Sequence, residues 1–217
     1  MPYSLVVFDW DGTLMDSTHS IVAAIQAACR DLELPVPSAS QASWVIGLSL
    51  ESALRRAVPD LTNAMLPRFL ERYRVHYLLR DPELKLFDGV REMLAELAAR
   101  DVRMAVATGK SRVGLNRALA ASGLVDVFQA TRCADETFSK PNPTMLHEIM
   151  DEIGVAADSV VMIGDTSHDL QMASNARVHG VGVAYGAHTR QELEAEKSQA
   201  VLESVPGLRE WLMDRVG

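Results

Sequence analysis

The sequence predicts an α/β fold in which a parallel-sheet core is interrupted by an inserted helical bundle. Three observations predict it. Short apolar runs alternate with helical patterns, as βαβ units do. Polar residues follow the first three of these runs, where ligands collect in parallel sheets. Between residues 16 and 84 the strand signal disappears and helical spacing takes over.

Leu5-Val6-Val7-Phe8 is an apolar run that stops at Asp9-Trp10-Asp11-Gly12-Thr13, a buried strand feeding a polar turn. Residues 102–107, 160–163 and 178–183 are further strand-like runs. In the insertion, Ile21, Ile25, Ala28, Cys29 and Leu32 share one helical face, and Pro35, Pro37, Gly47, Pro59 and Pro67 punctuate the rest. Val90, Met93, Leu94, Leu97 and Ala98 repeat the amphipathic helical spacing. Asn142-Pro143 reads as an N-cap followed by proline at the first helical position. Thr189 and Glu192 have the spacing of a capping box. The expected division is a core of residues 1–15 and 85–217 and a helical insertion of residues 16–84.

Composition narrows the function. A chain of 217 residues suits one domain, or one domain with an insertion. Lys and Arg number 21 against 29 Asp and Glu, a formal charge of −8. That balance argues against nucleic acid and against anionic membrane surfaces as partners. Apolar residues make up 48%, which argues against global disorder. No apolar run approaches the roughly 18 residues of a spanning helix. The opening residues lack the basic segment of a signal peptide, and Cys29 and Cys133 make no disulfide framework. A cytoplasmic location with reduced thiols is expected. The charge is uneven: residues 16–84 hold seven arginines against eight acids, so nearly all the excess belongs to the core.

Four segments carry chemistry: Asp9-Trp10-Asp11-Gly12-Thr13, Thr108-Gly109-Lys110, Ser139-Lys140-Pro141 and Gly164-Asp165-Thr166-Ser167-His168-Asp169. Asp9 and Asp11 lie two apart on a chain leaving a strand, so they point in similar directions. Like charges so close raise one pKa or demand a cation. Asp165 and Asp169 add carboxylates, and an all-oxygen ligand set suits Mg²⁺. Lys140, one of four lysines, can hold a nucleophile and a phosphate oxygen together. Thr108 supplies a hydroxyl, and Gly109 permits close backbone approach. Metal, carboxylate nucleophile, lysine and backbone donors are the components of phosphoryl transfer.

This ordered set resembles the haloacid dehalogenase superfamily over the whole chain, in its phosphoglycolate phosphatase-like branch. The resemblance implies a Rossmann-like core and a four-helix cap. Phe87-Asp88-Gly89-Val90 resembles the return to the core, and Trp44-Val45-Ile46-Gly47-Leu48 the cap loop that reaches toward substrate. It implies that Asp9 is the nucleophile and a metal ligand. Asp11 would be the general acid and base, with its carbonyl on the metal. Thr108 and Lys140 would hold the phosphoryl group, joined by Asp11, Gly12 and Gly109. Asp165 would bind Mg²⁺, with Asp169 as a ligand or its neighbour. Asp11 itself implies phosphate ester or anhydride chemistry, because the superfamily's dehalogenases and phosphonate hydrolases replace it.

The expected function is a Mg²⁺-dependent phosphatase acting on a small, phosphoglycolate-like metabolite through an aspartyl-phosphate. A sugar-phosphate mutase on the same fold is an alternative, disfavoured because the loop of residues 45–50 has no Arg or Lys. A pyrophosphatase or nucleotidase is another. A non-catalytic binding protein is disfavoured by four intact motifs. His168 reads as a surface residue or one behind the ligands. Arg55, Arg56, Arg72, Arg74 and Arg80 could grip a second substrate anion or form a solvated helix face. The oligomeric state is not legible.

Overall fold

The protein is described by a computed structural model covering residues 2–217. In chain order its elements are β1 (Leu5–Phe8), β2 (Met15–Asp16), α1 (Thr18–Asp31), α2 (Ala39–Trp44), α3 (Leu50–Ala57), α4 (Leu66–Arg80), β3 (Lys85–Leu86) and α5 (Val90–Ala99). There follow β4 (Arg103–Thr108), α6 (Arg112–Ser122), β5 (Ala130–Cys133), α7 (Thr144–Ile153), β6 (Val160–Gly164), α8 (Ser167–Asn175), β7 (His179–Val183), α9 (Arg190–Glu194), β8 (Ala200–Leu202) and α10 (Val205–Met213).

Six parallel strands form one sheet in the order β5-β4-β1-β6-β7-β8. Alternate residues of each central strand serve opposite faces. Val6, Phe8, Met104, Val106, Val161 and Ile163 pack with α5, α6 and α10 on one side. Leu5, Val7, Ala105, Ala107, Val160 and Met162 pack with α7 and α8 on the other. A strand buried on both faces is apolar along its buried length, which is why β1, β4, β6 and β7 were legible as apolar runs. The edge strands β5 and β8 have only partly buried interior residues and gave no such signal.

The helices α1–α4 gather a separate apolar cluster around Ile25, Leu54, Phe69 and Tyr73. β2 and β3 pair as a two-residue antiparallel ribbon where the chain leaves for these helices and where it returns. Two residues are too few for a periodic signal, so the sequence showed no strand there. The capping box of Thr189 and Glu192 is present. Helix α7 begins one residue later than expected: Pro143 takes the N-cap, and Asn142 Oδ1 accepts from the Thr144 amide at 3.0 Å. No helix among the described residues is long and apolar enough to cross a membrane.

Register delivers the site. Phe8 lies level with Val106 of β4 and Ile163 of β6. Asp9, Thr108 and Asp165 therefore emerge together at the carboxyl ends of three adjacent strands, within a residue of the same height.

Phe69 is fully buried at the centre of the helical cluster. Phe69→Ala is expected to cost about 3–5 kcal/mol, read by chemical denaturation. A loss under about 1 kcal/mol would show that this cluster does not share the cooperative stability of the chain.

Candidate active site

The loop after β1 turns tightly. The amides of Leu14 and Met15 return to the Trp10 carbonyl, and the Gly12 amide reaches the Met15 carbonyl. Gly12 has φ of +84°, and a Cβ there would fall 2.1 Å from Asp165 Oδ2. Only glycine permits that conformation and that approach together. Thr13 donates its hydroxyl to Asp165 Oδ1 at 2.9 Å.

Asp9, Asp165 and Asp169 are buried and bring one carboxylate oxygen each within 4.8 Å of one another. Lys140, also buried, donates to Asp9 Oδ1 at 2.6 Å and forms an ion pair with Asp169 Oδ1 at 2.6 Å. The second oxygen of Asp169 closes a capping box with Thr166 at the start of α8. Asp165 Oδ2 accepts from the Ala187 amide at 2.7 Å. Asp9 Oδ2 is buried and accepts no hydrogen bond from the described residues.

Asp11 is placed differently. Its carboxylate accepts from Lys110 Nζ at 3.0 Å on each oxygen and from Ser17 Oγ at 2.7 Å. Lys110 also donates to the Tyr77 hydroxyl of α4 at 3.0 Å. The carboxylate of Asp11 is thus outside the three-carboxylate cluster. The role of Lys110 was missed, although it stands two residues after Thr108 within a segment already singled out. Its partners Asp11 and Tyr77 are 99 and 33 residues away, and no local pattern reports them.

Burial sets the electrostatics. It raises Asp9 to about 7, helped by the charges of Asp169 and Asp11 and opposed by Lys140. Burial, with the charges of Asp9 and Asp169, pushes Asp165 well above the ordinary range. For Lys140, burial alone would lower the pKa, but Asp169 and Asp9 overcome it and hold the ammonium charged. Lys110 is held charged in the same way by Asp11 and Tyr77. Four carboxylates face two ammonium groups, leaving a formal excess of two negative charges. An orphaned oxygen, three converging carboxylates and that excess fit a hard divalent cation.

Thr108 is buried at the end of β4, and its hydroxyl accepts from the Lys110 amide at 3.2 Å. A Cβ on Gly109 would lie 2.4 Å from the Leu48 carbonyl and 2.6 Å from that of Gly47. The close approach expected at Gly109 was to a bound group; the structure shows the backbone of the loop between α2 and α3 lying against it. His168 is buried, not at the surface, and lies outside the carboxylate cluster. Its Nε2 donates to the Trp44 carbonyl at 3.1 Å, and His188 Nε2 does so at 2.9 Å. Burial raises the thiols of Cys29 to about 11 and Cys133 to about 12, so neither is a nucleophile.

The haloacid dehalogenase-like hydrolase family profile matches residues 6–183. The chain belongs to that family. Within it, the hydrolase stands with phosphatases of the phosphoglycolate phosphatase-like branch. A Dickeya dadantii protein named "Probable phosphatase IndB" is 36% identical over 206 residues, covering 92% of this chain and 89% of the relative. The phosphoglycolate phosphatase of Pectobacterium atrosepticum is 32% identical over 204 residues, covering 91% and 87%. The crystal structure of a hydrolase from Pseudomonas syringae superposes with a TM-score of 0.90 at 25% identity, covering 100% of both chains.

The raised pKa of Asp9 has a consequence for stability. Between its ordinary value of 3.8 and about 7, the native state keeps a proton that the unfolded chain releases. That contribution is complete below the lower value and is lost as pH rises through the upper one. In EDTA, the unfolding midpoint is expected to fall from about pH 4 to about pH 7, less steeply in Asp9→Asn. A midpoint that rises over this window, or an unchanged slope in the variant, would contradict the assignment.

Proposed function

We propose that the hydrolase is a Mg²⁺-dependent phosphatase for a small, phosphoglycolate-like phosphomonoester, working through an aspartyl-phosphate on Asp9. The observation that carries this reading is the asymmetry of Asp9. Lys140 fixes one oxygen, and the other is buried without a partner. A carboxylate held in that way is oriented for attack and has one coordination position open.

Asp9, Asp165 and Asp169, with the carbonyl of Asp11, would hold the ion. Mg²⁺ would supply charge neutralisation of the phosphoryl oxygens, letting an anionic carboxylate approach them. Asp9 attacks phosphorus, and the bond to the leaving oxygen breaks. Thr108 and Lys140, with the backbone at Asp11, Gly12 and Gly109, hold the phosphoryl oxygens. Asp11 gives a proton to the departing alkoxide, then takes one from the water that cleaves the acyl phosphate. Lys110 and Ser17 hold the Asp11 carboxyl in place for both transfers. Residues 16–84 act as a cap over the core of residues 1–15 and 85–217, excluding water and selecting the leaving group.

Phosphate release from phosphoglycolate, with Mg²⁺ and with EDTA, tests this reading. Asp9→Asn is expected to lower turnover at least about a thousandfold without loss of fold. Asp11→Asn is expected to lower kcat by about 10²–10⁴. Retained turnover in Asp9→Asn, or full activity in EDTA, would overturn the mechanism. With a sugar phosphate, release of free phosphate rather than an isomeric ester distinguishes hydrolysis from mutase chemistry.

A further inference from the structure

Beside Asp9 and Asp11 opens a cavity of about 730 Å³ between the sheet edge and the helical segment. Helix α4 forms one wall with Leu70, Tyr73, Arg74, Tyr77 and Leu78, spaced as one face of a helix. The loop after α2 adds Val45, Ile46 and Leu48. A phosphoryl group and a two-carbon leaving group would occupy a small part of this space.

The charges of the wall are almost all engaged. Lys110 pairs with Asp11, Arg117 with Asp81, and Glu51 with Arg55. Asp135 accepts from the Arg112 amide, and Asp9 pairs with Lys140. Arg74 alone among the charged residues of the wall has neither an ion pair nor a hydrogen bond within the described chain. Its neighbours in sequence are otherwise occupied. Arg72 pairs with Asp31, Arg80 donates to the His76 carbonyl, and Arg56 lies over the Trp44 ring. Of the five arginines the sequence brought forward, four have partners and the fifth faces the active-site cavity.

A guanidinium offers a planar fork of donors that matches an oxyanion. Arg74 is exposed, so its fork is open to a ligand entering from solvent. Lys110 is held by both oxygens of Asp11, and Lys140 does not line this cavity. We propose that Arg74 is a specificity-determining residue that receives an oxyanion on the leaving group of the substrate. The proposal rests on the phosphatase reading above. It adds the residue that would receive the anionic end of such a leaving group.

Binding and turnover separate the two ideas. Three probes share a phosphoryl end: phosphoglycolate ends in a carboxylate, ethylene glycol bisphosphate in a second phosphate, and ethylene glycol monophosphate in a neutral hydroxyl. Their affinities are measured by calorimetry with Mg²⁺ on Asp9→Asn, which keeps the esters intact. Adding Arg74→Gln is expected to weaken one or both charged probes by about tenfold or more and the neutral probe by less than about twofold. Which of the two responds identifies the anion. Arg74→Lys should restore most of the lost affinity. In the enzyme with Asp9 intact, Arg74→Gln should raise KM for the charged ester and leave kcat within about threefold. Equal weakening of all three probes, no weakening of either charged one, or failure of every probe to bind would overturn the proposal. Arg74-dependent binding without any phosphate release would overturn the phosphatase reading alone.

Discussion

The candidate active site depends on one buried ammonium. Lys140 is 2% exposed and touches both Asp9 and Asp169 at 2.6 Å. Without it, three carboxylates would sit within 4.8 Å of one another in a dry interior. Removing one partner of a buried ion pair typically costs about 3–5 kcal/mol. The lysine therefore makes the cluster foldable before any cation arrives. It does so incompletely. Asp9 keeps one oxygen without a partner among the described residues and a pKa of about 7, and Asp165 is also raised well above the ordinary range. The unbalanced negative charge is what a divalent cation can neutralise.

The backbone carries the same constraint. Asp9 is fixed by the end of β1, which has strands on both sides and no freedom to shift register. Asp165 is fixed one strand away, and Asp169 one helical turn later by its own capping box. The capping role and the ion-pair role of Asp169 use different oxygens, so they do not compete. Preorganisation of this kind keeps reacting groups in place without reorganisation during reaction.

How far the sequence spoke follows from locality. Strands buried on two faces were readable because their apolar runs are uninterrupted, whereas β5 and β8 at the edges were not. The carboxylates, Thr108 and Lys140 were readable because each closes a short segment with its own turn chemistry. Lys110 was within view but had no stated role, since its partners come from the loop after β1 and from α4. His168 was judged from its polar neighbours alone. The residue that buries it, Trp44, lies 124 positions away. Chemistry that resides in one loop can be read from a sequence. Chemistry that joins loops from separate elements needs the fold.

The loop of residues 185–188 shows why those distant contacts matter. The Ala187 amide donates to Asp165 Oδ2, while the Ala187 carbonyl accepts from Ser43 Oγ at 2.8 Å. The His188 amide donates to the Asp165 carbonyl, and its ring donates to the Trp44 carbonyl. His188 Nδ1 accepts from the Ser167 amide, so the ring proton must sit on Nε2. One peptide segment thus orients a cluster carboxylate with one set of groups and holds the helical segment with another. A shift of the helices away from the sheet would break the bonds to Ser43 and Trp44 and free the loop that orients Asp165. The geometry of the carboxylate cluster and the position of the helices over it are consequently a single mechanical unit, joined through backbone groups that no side-chain pattern could announce.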